Sequence, residues 1–124
     1  MVRKDNMTEE EQNFILWKDN DYKLIVKVYF EPGYEMSLND LTIYWGMGEK
    51  PNSEIPNITK SSNLITEIEI TNEDEFTIYI DRTDTVDLAR GKYYHEARAT
   101  NSNGDVSILM TGTVTLKDVL LDIV

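Results

Sequence analysis

The stretch Gly91-Lys92-Tyr93-Tyr94-His95-Glu96-Ala97-Arg98-Ala99-Thr100-Asn101-Ser102-Asn103-Gly104-Asp105-Val106-Ser107-Ile108-Leu109-Met110-Thr111-Gly112-Thr113-Val114-Thr115-Leu116 decides the fold. Read in steps of two, Tyr93, His95, Ala97 and Ala99 fall on one side and Tyr94, Glu96 and Arg98 on the other. That period belongs to a half-buried strand. Asn101 to Gly104 interrupts it, and an Asn-Gly pair accepts the positive φ that tight hairpins need. The chain then returns from Asp105 to about Leu116, with Val106, Ile108, Met110, Gly112, Val114 and Leu116 expected on one face. A hairpin alone is marginal in water, so other strands must cover its apolar side.

Those strands lie upstream. Residues 22–30 alternate, with Leu24, Val26, Val28 and Phe30 one way and Lys23, Ile25, Lys27 and Tyr29 the other. Glu31-Pro32-Gly33 ends that run, because proline and glycine suit a turn and not a ladder. Leu41 to Met47 predicts a second strand, with Leu41, Ile43, Trp45 and Met47 on one face. Residues 48–63 carry Pro51 and Pro56 and predict the longest loop, or a loop holding a short edge strand. Leu64 to Ile70 and Phe76 to Ile80 alternate about the turn Asn72-Glu73-Asp74, which predicts a hairpin. Asp81 to Arg90 predicts one helical turn, with Asp81 as cap and Val86 and Leu88 packed beneath. Six or seven strands, no long helix and turns about every ten residues describe an antiparallel β-sandwich.

The 124 residues suit one domain. No cysteine is present, which removes disulfides, thiolate metal sites and cysteine nucleophiles. Twelve basic against 23 acidic residues give a formal net charge of −11. That balance repels phosphate backbones, so no nucleic acid is expected as a partner. No apolar run approaches the length of a membrane span, and no membrane partner is expected. The polar start, with Glu9, Glu10 and Glu11, does not read as a signal peptide.

From about residue 18 to 116 the order of features resembles a family of small bacteriophage virion structural proteins with an immunoglobulin-like β-sandwich. The resemblance rests on an acidic turn, Asp19-Asn20-Asp21, before a long alternating strand, and on an Asp-Leu step within Ser37-Leu38-Asn39-Asp40-Leu41. It rests most on Gly91-Lys92-Tyr93, the Asn103-Gly104 turn and the closing Gly112-Thr113-Val114-Thr115-Leu116. It implies an all-β, Ig-like antiparallel β-sandwich of about seven strands. The domain would span 18–116, with an N-terminal arm at 1–17 and a short apolar C-terminal tail at 117–124. It also implies a non-enzymatic protein of the virion, on the capsid surface, that decorates and reinforces the head. The partner would be the major capsid protein or another virion protein, with homo-oligomeric copies on the particle. A tail or baseplate adaptor domain and a carbohydrate-binding Ig-like module are the alternatives. The family carries no catalytic residue, so none is carried over, and no cofactor or metal is expected here.

Single residues support no catalytic reading. His95, the one histidine, falls on an inward position and reads as a buried ring bonded to backbone. Asp81, Asp84 and Asp87 could share one helical face, but no glycine-punctuated calcium loop accompanies them. They read as a solvated acidic turn, as do Asp19 and Asp21. Glu67 and Glu69 sit about 7 Å apart on one strand face, a glycosidase spacing without a cleft signal.

The remaining signal is an interface. Tyr29, Tyr44, Tyr79 and Tyr94 take outward positions, and Trp17 precedes the first long strand. Tyrosine and tryptophan dominate interface energetics. Phe14-Ile15-Leu16-Trp17 and the tail with Leu120 and Leu121 are apolar and need cover, from their own sheet edge, a neighbouring copy or a host particle. The expected partner-binding set is therefore Phe14, Leu16, Trp17, Tyr29, Tyr44, Tyr79, Tyr94, Leu120 and Leu121.

Overall fold

The computed structural model describes residues 12–30, 37–51 and 55–119. Residues 1–11 of the arm expected at 1–17, the turn at Pro32-Gly33 and the tail residues Leu120 and Leu121 lie outside the described residues. Eight strands are present among the described ones: β1 (Phe14–Trp17), β2 (Tyr22–Lys27), β3 (Thr42–Gly48), β4 (Ile58–Ser61), β5 (Ile68–Asn72), β6 (Glu75–Ile80), β7 (Gly91–Thr100) and β8 (Val106–Lys117). A 3-10 turn, Leu38–Asp40, precedes β3, and a single helical turn, α1 (Arg82–Thr85), follows β6. They form a five-stranded sheet in the order β1-β8-β7-β3-β4 and a three-stranded sheet in the order β2-β6-β5. All neighbours are antiparallel except β1 and β8. The chain is an all-β, Ig-like sandwich.

Alternation explains which side of each strand meets the other sheet. Ile43, Trp45 and Met47 from β3, Tyr93, Ala97 and Ala99 from β7, and Phe76, Ile78 and Ile80 from β6 are buried. Each large side chain so enclosed contributes roughly 1.5–3 kcal/mol. At the start of β7 the Tyr93 hydroxyl donates to the Ala89 carbonyl at 2.5 Å. This is the tyrosine corner of immunoglobulin-like folds, whose second disulfide cysteine stands two residues further on, packed against a strand-C tryptophan. Here that place holds His95, and its ring nitrogen Nδ1 accepts from Trp45 Nε1 at 3.1 Å. A hydrogen bond thus pins the centre of a chain that has no cysteine.

Four expectations need correction. Phe14–Trp17 does not lie outside the domain as part of an arm: β1 pairs in parallel with β8, from Phe14↔Val114 to Trp17↔Lys117. The domain therefore begins before residue 18. The strand expected from Leu64 starts at Ile68, because residues 64–67 turn, with the Glu67 and Ile68 amides donating to the Leu64 carbonyl. Val86 does not pack beneath the helical turn but stays exposed, whereas Leu88 does reach the core. Finally, Val106 and Ile108 do not share the inward face of Met110. Between Ala97↔Met110 and Arg98↔Ile108 the ladder gains a residue, Leu109. A bulge reverses the alternation beyond it, so Leu109 is buried and Val106 is exposed.

Candidate functional site

The outer face of the five-stranded sheet carries an open groove of about 610 Å³. Its construction follows from register. On β3 the outward positions are Tyr44, Gly46 and Gly48, opposite Arg98, Glu96 and Tyr94 on β7. Two successive outward positions without side chains leave a floor of bare backbone. Tyr94, Glu96 and Arg98 line one side, while Pro56 and Thr59 line the other. A Cβ built on Gly46 would lie in ordinary contact with Pro56 at 3.7 Å, so glycine there leaves space without a steric requirement for it.

Charge inside the groove is balanced locally. Arg98 Nε donates to Glu96 Oε2 on the same strand face. Lys92 stands 5.3 Å from the centre of the Tyr94 ring. Tyr44 is 43% exposed. The groove therefore offers aromatic surface, an ion pair and hydroxyls of Thr111 and Thr113, which suits contact with a partly polar protein surface.

The sequence-derived interface residues separate into groups. Tyr44 and Tyr94 come together at the groove. Trp17 is exposed at the β1 edge of the same sheet, with Lys117 Nζ 5.6 Å from its ring centre. Tyr79 belongs to β6 of the opposite sheet, and Tyr29 lies two residues beyond the end of β2. Tyr29 is exposed, but the Tyr79 hydroxyl donates to Glu69 Oε1 at 2.5 Å and Lys23 covers its ring. That bond to Glu69, then burial, raises the Tyr79 phenol above its ordinary value. Leu16 is a correction, because it is wholly buried and not presented to a partner; Phe14 is half-buried and stacks on Tyr22 at 5.5 Å. Leu120 and Leu121 lie outside the described residues. Alternation places Glu96 and Arg98 on the outer side but does not mark them as walls, and it says nothing of Pro56 and Thr59; the signal for the groove is Gly46-Met47-Gly48, two glycines in outward register within a strand.

His95 is buried, as expected, and both its ring nitrogens are engaged. Nδ1 accepts from Trp45, so the ring proton sits on Nε2 and is given to the Gln12 carbonyl. Burial lowers the pKa of His95 below its ordinary value, against the smaller opposing effect of the Gln12 bond. With both nitrogens bonded inside the protein, the ring is not poised as a base toward the groove.

The acidic turns are also bonded, contrary to a solvated reading. Asp84 meets the buried Lys60 at 2.8 Å and accepts from the Asp81 amide at 2.7 Å. Asp19, at φ 62°, receives both Arg82 Nε and Nη2 on its carboxylate. Glu67 accepts from the Ser61 amide. These carboxylates lock α1 and the β4–β5 turn in place. Among the described residues no group of three or more His, Cys, Asp or Glu side chains could hold a metal ion.

No protein-family model matches the chain, and no curated protein matches it. Several solved structures are similar to it. CopC from Methylosinus trichosporium OB3b aligns over 94% of this chain and 92% of its own length, with 13% identity and a TM-score of 0.44. A variant of the SrpA adhesin from Streptococcus sanguinis aligns over 85% of this chain and 54% of its own, with 14% identity and a TM-score of 0.43. Murine CRIg aligns over 86% and 92%, with 12% identity and a TM-score of 0.38.

Proposed function

We propose that this chain is a non-enzymatic binding module that grips another protein with the outer face of its five-stranded sheet. The observation that carries the reading is the groove itself: aromatic walls at Tyr44 and Tyr94 stand over a glycine floor, on a sheet whose inner face is already filled. Side chains of this kind anchor interfaces when a partner excludes water around them. The setting we propose is the virion, from the resemblance of residues 18–116 to phage structural domains. The module would there decorate the head, in many copies, with the major capsid protein or another virion protein as its partner. What clamps the lattice is then the groove and the exposed Trp17, not an apolar arm. An interface of roughly 1,600 Å² is the usual size for such a contact.

The test is site-specific photocrosslinking. A photoreactive residue is placed at Tyr44 or at Arg98 in the groove, and at Ile25 on the opposite face, in chains assembled on intact particles. Crosslinks to a capsid protein from the groove positions, and none from Ile25, are expected. Crosslinks only from Ile25, or none from either groove position, would overturn the reading. Crosslinks from the groove to a tail protein would keep the binding face and overturn the head assignment.

A further inference from the structure

We infer that β1 is a pH-gated strand, latched onto β8 by neutral His95 and released when that ring takes a second proton. This goes beyond the binding reading and does not depend on it.

The latch is built from five residues on four segments, namely β8, β7, β3 and β1 with its entry. Gly112 on β8 has no side chain, and a Cβ there would fall 2.2 Å from the Gln12 carbonyl oxygen and 2.8 Å from His95 Nε2. That notch lets the chain entering β1 cross β8 closely enough for the Gln12 carbonyl to receive the Nε2 proton. On its other side the ring accepts from Trp45, and an indole nitrogen is a donor only. Phe14 closes the pocket, edge-on to the imidazole at 5.1 Å between ring centres.

A second proton has only Nδ1 to occupy. There it would face the Trp45 N–H, two donors opposed in a buried site, while a positive charge sits in the interior. Among the described residues no carboxylate is buried beside the ring to compensate. Toward His95 on the inward faces, β7 offers the Tyr93 phenol, engaged with Ala89, and β2 offers Tyr22, stacked on Phe14. From β4 comes Lys60, itself a cation and held by Asp84. Glu96 points to the outer face and is paired with Arg98. A buried charge without a partner is expensive, and the cost is relieved by admitting water.

Water reaches the ring most readily if β1 leaves. This strand meets the rest of the sheet through four register pairs with β8, whereas β8 meets β7 through ten. Among the described residues its other hydrogen bonds to β8 are Gln12 N to the Thr111 carbonyl at 2.9 Å, Lys18 N to the Lys117 carbonyl at 2.8 Å, and the Thr113 amide and hydroxyl to Asn13 Oδ1 at 2.8 and 3.1 Å, with Leu16 as its one wholly buried side chain. Edge segments with so few bonds open independently of the core. Release would bare one side of β8 and the apolar side chains of Phe14 and Leu16.

The decisive measurement is amide hydrogen exchange on the full chain, read as protection factors between about pH 7.5 and about pH 5, a window that spans an ordinary histidine titration. Protection of the Gln12 and Lys18 amides should fall about tenfold or more on acidification, while the amides of Trp45 and Ala97 keep theirs. The midpoint should coincide with the titration of the His95 ring followed by NMR in the same sample. His95→Gln, which can still accept from Trp45 and donate to Gln12, should hold β1 equally at both ends of the range. Unchanged β1 protection in the natural chain would overturn the inference, and so would joint loss across β3 and β7 or a pH dependence that survives in His95→Gln. If that variant does not fold, the two midpoints in the natural chain decide: a mismatch overturns the latch.

Discussion

On the outer face of the three-stranded sheet, Lys23 covers the Tyr79 ring, Tyr79 gives its hydroxyl to Glu69, and Lys27 lies 3.9 Å from Asp74. On the outer face of the five-stranded sheet, Gly46 and Gly48 put no side chain beside Glu96 and Tyr94, and a groove opens between neighbours that never meet. Both faces are the outward half of alternating strands. Alternation assigns a residue to a face, but cross-strand register decides whether its neighbour there satisfies it. Where long polar side chains oppose one another the surface closes on itself, and where glycine opposes them it stays available. The five-stranded sheet is also the one whose edge is held by a titratable latch.

Four experiments would break or sharpen this contrast. The strongest effect is expected from Gly112→Ala, which drives a methyl group into the Gln12 carbonyl and the His95 ring. Overpacking of that kind costs about 1–3 kcal/mol, measured by urea denaturation, and β1 should lose protection at every pH. An equivalent small-to-large change on the outer face of the three-stranded sheet has no such crossing to disturb. If Gly112→Ala keeps both its stability and its β1 protection, the notch is not needed and the contrast between the two sheets weakens.

Acidification comes next. The folded-state pKa of His95 is below that of the unfolded chain, so its contribution to stability is fully present above about pH 6.5. It is lost as the pH falls from there toward the folded-state value. Denaturation midpoints across that range should drop in the natural chain more than in His95→Gln, and equal drops would remove His95 as the cause.

Tyr44→Ala should leave stability within about 0.5 kcal/mol, as for most exposed positions. The same variant should lose partner capture in the crosslinking assay from Arg98. A folded variant that still crosslinks as the natural chain does would mean the groove is not the contact. The smallest effect is reserved for the closed face. The Tyr79 phenol titrates above its ordinary value because it donates to Glu69, so its stabilising bond persists below about pH 10 and is lost as the pH rises through the folded-state value. In Glu69→Gln an ultraviolet titration should find that phenol ionising earlier, with groove crosslinking unchanged. Loss of crosslinking there would show that the two faces are not independent.

Much of this architecture is legible from residue order. Tyr93, Ala97 and Ala99 on β7 and Phe76, Ile78 and Ile80 on β6 fall inward because the period of an extended chain is two and apolar surface leaves water. The Asn103-Gly104 turn is equally readable, since Gly104 takes φ 85° and the Asn101 side chain accepts from the turn amides. The failures have a common cause. Leu109 is buried because a bulge adds one residue to β8, and nothing local in Ser107-Ile108-Leu109-Met110 announces it. Phe14–Trp17 looks like an unclaimed apolar end because its partner, Val114 to Lys117, is about a hundred residues away. Asp19 and Asp84 look solvated until Arg82 and Lys60 arrive from other segments.

Amphipathic period, turn chemistry and the absence of cysteine suffice to specify two antiparallel layers around an apolar centre, because each is a property of neighbours along the chain. The groove, the latch and the seating of β1 depend on pairs such as Gly46 with Glu96, Trp45 with His95 and Gln12 with Gly112. Such pairs exist once register and crossing are set, since a hydrogen bond or a clash is decided within a few tenths of an ångström between atoms far apart in the chain.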